Sequence, residues 1–179
     1  MRWLGVLALI GCGGEEEPAE PLGLCDACGD VCAEEFAQAT SAGHVFGGVD
    51  YADPPPSSGD HDACWATWGA HAEPVPDELW VHNLEHGGVV YLYHCPDGCD
   101  AEVAELTALV DRLGIFALVT PYDALPTRFA AVAWEWRYTA DCFDIDALEA
   151  FYTSRRDQAP ESVTSDPSVE CQAVADGGS

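Results

Sequence analysis

From residue 89 onward, apolar and polar positions fall into blocks that each predict one element. Val89 to Tyr93 is a β-branched and aromatic run, the composition of a strand. Asp100 can cap a helix in which Val103, Leu106, Val110 and Leu113 form one apolar stripe, and Gly114 ends it. "IFALVTPY", Ile115 to Tyr122, predicts a second strand and "RFAAVAWEW", Arg128 to Trp136, a third. A last helix starts at Asp144, places Ile145, Leu148, Phe151 and Tyr152 inward, and ends on Arg155 and Arg156, where cations suit a helix C-terminus. The order strand, helix, strand, strand, helix argues α+β: a small mostly antiparallel or mixed sheet with helices packed on it.

Upstream the pattern is weaker. Cys25, Cys28, Cys32, Phe36 and Ala39 recur at helical spacing and would put three thiols on one face. Residues 41–76 are rich in Pro, Gly, Asp and Ser, so they read as a long excursion, and long loops are often functional. This excursion holds His44, His61 and His71. Downstream, the proline in "LPTRFAAVAWEW" resembles the one before a central strand in thioredoxin-like folds, although no C-x-x-C stands just after a first strand.

The N-terminus changes the picture from a bare domain to an exported one. "MRWLGVLALIGCGG" has one Arg and a short apolar run, too short to span a bilayer and laid out like a secretory signal. The tetrad LIGC resembles a bacterial lipobox, which makes Cys12 the lipidated first residue of the mature chain. The expected organisation is a lipoprotein signal peptide at 1–11, a flexible acidic tether at 12–23, one domain at 24–175 and a loose tail at 176–179. Its expected location is the outer membrane, facing the periplasm or the cell surface, with the membrane as partner through the lipid.

Export also decides how the cysteines read. Cys25, Cys28, Cys32, Cys64, Cys95, Cys99, Cys142 and Cys171 remain after Cys12, an even set that an oxidising compartment turns to disulfides rather than to a metal cluster. Pro96-Asp97-Gly98 spells a tight turn able to close Cys95 on Cys99, and the other pairings stay open. The chain carries 32 acidic residues against 6 basic ones, all Arg, for a formal charge of −26. Such a field repels phosphate backbones and argues against a nucleic-acid partner, while serving solubility first.

The candidate chemistry lies in "VHNLEHGGVVYLY". His82, Glu85 and His86 fit H-x-x-E-H, the zinc-peptidase pattern in which both His bind the ion and Glu activates water. That chemistry needs a helix, and Pro76 and Gly87-Gly88 leave room for a short one at most. In an extended chain Glu85 would point away from the two histidines. A binding site is the preferred functional reading. His61, His82 and His86 would coordinate copper or zinc, and Glu85 would complete the shell or orient an imidazole. His44 is an outside candidate for a ligand, and His71 and His94 read as surface or packing residues. The competing reading is a buried His–Glu hydrogen-bond network with no ion.

"YADPPPSSGDH", "CWATWG", "VHNLEHGGVVYLY", "VTPYDALP", "AVAW" and "APE" resemble, in this order, the successive blocks of the bacterial domain of unknown function family 3105. The resemblance covers about residues 44–161 and departs from the family pattern at Glu135, where Gly is usual, and in the added cysteines. It implies an exported or membrane-anchored protein and no particular activity. The family's signature residues fall on Pro54, Pro55, Ser58, Gly59, His61, His82, Leu84, Glu85, His86 and Gly87.

Overall fold

The structure, a computed structural model, describes residues 33–35 and 41–164. Cys12, Cys25, Cys28, Cys32, Cys171, the signal, the tether and the tail lie outside those residues. In chain order the elements are β1 Glu34–Glu35, β2 His44–Val45, β3 His61–Asp62, β4 Gly69–Ala70, α1 Asp77–Glu85, β5 Val89–Tyr93, α2 Asp100–Leu113, β6 Ala117–Pro121, β7 Phe129–Ala133, β8 Trp136–Ala140 and α3 Ile145–Arg155.

Six strands form one mixed sheet in the order β1-β8-β7-β5-β6-β4, with β5, β6 and β4 parallel and the other pairings antiparallel. Successive residues of a strand point to opposite faces, and here both faces are covered. Val90, Leu92, Leu118, Ala130 and Val132 meet Trp80, Val81 and Leu84 of α1. Val89, Tyr91, Ala117, Val119 and Ala131 meet Leu106, Leu109 and Val110 of α2 and Leu148 and Phe151 of α3. Burial on both faces explains why these strands read as unbroken apolar runs rather than as an alternation.

Within this sheet, β5–α2–β6–β7–β8–α3 has the strand order β8-β7-β5-β6 of a thioredoxin-like sheet but no helix between β6 and β7. The expected disulfide is present: Cys95 and Cys99 are bonded in the link from β5 to α2. Cys64 and Cys142 each belong to a disulfide as well. A cysteine pair thus does follow the first strand of that unit, separated by three residues instead of two.

Two expectations are corrected. "RFAAVAWEW" is not one strand: it folds back at Trp134-Glu135, pairing Ala133 with Trp136 and creating β8. Glu135 takes the left-handed conformation, φ 62°, that the turn requires, and its amide donates to the Ser57 carbonyl at 2.9 Å. Glu34 and Glu35, inside the stretch with helical cysteine spacing, form an edge strand on β8. Helix α3 buries Leu148 and Phe151 and ends on Arg155 as expected, and Arg155 is itself buried, with its guanidinium 3.4 Å from the Trp136 ring centre.

Candidate functional site

The helix that H-x-x-E-H needs is present. Helix α1 runs only nine residues, and its C-terminus stops in a Schellman arrangement: Gly87 N–H donates to Leu84 O and Gly88 N–H to Asn83 O, both at 2.9 Å. Gly87 supplies the required positive φ of 84°, and a Cβ on Gly88 would lie 2.4 Å from the Trp68 ring. The carbonyls this short helix leaves over are satisfied from the far end of the chain. Glu161 N–H donates to Glu85 O, Val163 N–H to His86 O, and Asp157 N–H to Gly87 O, at 3.1–3.3 Å. His82, Glu85 and His86 therefore share one helix face, which corrects the extended-chain expectation for Glu85.

The long excursion folds over that face. Parallel pairing of β2 with β3 sets His44 beside His61, and the Gly43 carbonyl accepts from the His61 amide at 3.1 Å. Pro54-Pro55 is a cis bond, Ser57 and Ser58 are buried, and Gly59 adopts φ 121°, a conformation open to glycine. Asp60 accepts from the Gly43 amide at 2.9 Å, which holds its carboxyl below the usual range. The loop is clamped to α1 by Asn83, whose buried carboxamide accepts from Ala66 N–H and donates to Ala66 O, both at 2.9 Å.

Four imidazoles and a carboxylate converge where loop and helix meet. Ring centres of His44, His61 and His82 lie 4.7–5.0 Å apart, and His86 stacks on His82 at 4.8 Å. His61 and the side chain of Glu85 are buried, whereas the His44 side chain is 50% exposed. Ligand atoms of His44, His61, His82 and Glu85 all lie within 4.8 Å of one another, and a second such group joins Glu85, His86 and Glu161. Trp65 closes the site with its ring 4.8 Å from both His82 and His86.

The hydrogen bonds fix which nitrogen of each ring is free. Nδ1–H of His61 donates to Gly59 O, that of His82 to Asp62 O and that of His86 to Glu161 O, at 2.8–2.9 Å, because a carbonyl can only accept. In the neutral rings every Nε2 then carries a lone pair. His82 Nε2 and His86 Nε2 face each other at 2.9 Å, so a proton or a cation must lie between them. His61 Nε2 is buried without a hydrogen-bond partner although Glu85 Oε2 is only 3.0 Å away. Burial, reinforced by His61, His86 and His44, pushes the His82 imidazole down to about 3, so it stays neutral and able to ligate at physiological pH.

The residues present fit a transition metal. Ligands on a tetrahedral ion with bonds of 2.0–2.1 Å sit about 3.3 Å apart, close to the His61–Glu85 spacing. Backbone carbonyls on Nδ1 are the usual orienting partners of ligating histidines. The α1 C-terminus adds the negative end of a helix dipole.

Of the sequence candidates, His61, His82, Glu85 and His86 come together, and His44 moves from the margin into the first group. Glu161 was missed as a site residue, although it stands in the "APE" block. His71 and His94 stay outside, bonded to Thr67 O and facing Asp123.

The fold and site define a class: an α+β domain that buries a His–Glu cluster between one short helix and one long loop. Residues 44–171 match the family model described as "Protein of unknown function (DUF3105)". The chain belongs to that family. No curated protein and no solved structure matches it.

Proposed function

We propose that this is an exported, lipid-anchored protein that binds a transition-metal ion, copper or zinc, through His44, His61, His82 and Glu85, with His86 beside them. One observation carries the reading. His61 Nε2 and Glu85 Oε2 are buried side by side at 3.0 Å without a hydrogen bond, the relation of two ligands on one centre rather than of two bonded partners. Imidazole suits both ions, and a set of nitrogen and oxygen donors without thiolate favours Zn(II) or Cu(II) over Cu(I). The lipobox-like LIGC and the even cysteine set support export and anchoring at the outer membrane through Cys12.

Binding is a better reading than hydrolysis. The helical H-x-x-E-H gives a zinc hydrolase its spacing, but Glu85 leans on His61 and, at 4.0 Å, on His44, in the position of a ligand and not of a free base.

Metal content by mass spectrometry on the untagged chain, beside a His61→Ala, His82→Ala double variant, tests the proposal. A near-stoichiometric ion lost in the variant is expected. No ion in either protein, with the variant only less stable, would make the cluster a proton-linked structural network.

A further inference from the structure

Glu85 belongs to two donor groups at once. The first, with His44, His61 and His82, is mostly buried; the second, with His86 and Glu161, opens to solvent. We propose that the second group holds a metal ion of its own, so that the site is dinuclear with the Glu85 carboxylate as bridge. This rests on the reading that the first group binds a metal.

Three observations favour two ions over one. His86 touches His82 but is absent from the group whose ligand atoms lie mutually within 4.8 Å, so no single centre gathers all four imidazoles. Nε2 of His82, a member of the first group, and Nε2 of His86, a member of the second, lie only 2.9 Å apart, which sets the two groups side by side around the shared Glu85. Glu161 is exposed, yet it is delivered to the site by its backbone: its N–H donates to Glu85 O at 3.1 Å and its carbonyl accepts from His86 Nδ1 at 2.9 Å.

The chemistry of the pair follows from the donor counts. Carboxylate-bridged ions sit about 3.5–4 Å apart, a separation the shared Glu85 imposes. Four protein donors close the first centre; three leave the second with a coordination position for water or a small anion. The exposed second ion, with fewer donors, is bound more weakly and exchanges first.

Zinc titration of the chelator-stripped full chain, read as bound zinc per chain after equilibrium dialysis, tests the proposal. Two zinc ions per wild-type chain are expected. Glu161→Ala and His86→Ala should each bind one, with far-UV circular dichroism unchanged for Glu161→Ala, which alters an exposed side chain only. One zinc in the wild type, or two in the wild type and in both variants, overturns the second centre while sparing the first. No zinc in any of them overturns the metal reading itself and the second centre with it.

Discussion

Asn83→Ala is the most direct test of how loop and helix are joined. The carboxamide of Asn83 is fully buried and pairs with both backbone groups of Ala66, mimicking a strand neighbour at 2.9 Å on each side. Truncation leaves a buried N–H and a buried C=O without partners, each costing about 1–3 kcal/mol. A total near 3 kcal/mol is expected, after some relaxation of the loop. For a chain of this size that corresponds to a fall in Tm of about 6–12 °C. Thermal and urea unfolding followed by circular dichroism, with disulfides kept oxidised, measure it. Asn83→Asp preserves volume but offers no donor to the Ala66 carbonyl, so it should be at least as damaging as alanine. A loss below about 1 kcal/mol for alanine, or a well-tolerated aspartate, would refute the clamp and leave packing as the cause.

Other substitutions probe the turns and the site. Glu135→Gly should stabilise the chain by up to about 1 kcal/mol, because a left-handed L-residue costs roughly 1–2 kcal/mol against the smaller entropy cost of glycine; a loss in urea midpoint would show that the Glu135 side chain matters. Gly88→Ala puts a Cβ within 2.4–2.6 Å of the Trp68 ring and should cost about 1–3 kcal/mol, measured in the same unfolding assay, where a neutral result would mean that Trp68 yields freely. In metal-free protein, His82 stays neutral in the fold down to about pH 3, whereas the unfolded chain takes up the proton below about 6.5. Its contribution to stability is therefore complete above 6.5 and is lost as pH falls from there toward 3. Denaturation curves across that window should be less steep in pH for His82→Ala than for the wild type, and equal slopes would count against the buried neutral ring.

The sequence made the core legible wherever one short segment carries its own signal. Val89–Tyr93 and Asp100–Leu113 match their expected spans because residue type and, for the helix, the stop glycine are local, although Asp100 is the first helical residue and not its cap: Cys99 takes that position without a side-chain bond. The β7–β8 turn escaped because Glu135 sits between Trp134 and Trp136 like one polar position of a strand, and its left-handed φ leaves no mark on composition. His61, His82, Glu85 and His86 were found from residue type and spacing. His44 stood only as an outside candidate and Glu161 was not found, since the pairing of His44 with His61 and the bond from Glu161 to Glu85 join positions far apart in sequence. The short strands β2, β3 and β4 have no pattern to read at two residues each.

The bonds from residues 157, 161 and 163 to the end of α1 carry a consequence for biogenesis. Helix α1 cannot retire its last carbonyls until residues 157–163 have been synthesised. A nascent or clipped chain ending before residue 157 lacks the clasp that holds His86 in place. The end of α1 thus registers chain length: only a polypeptide that extends through residue 163 satisfies it.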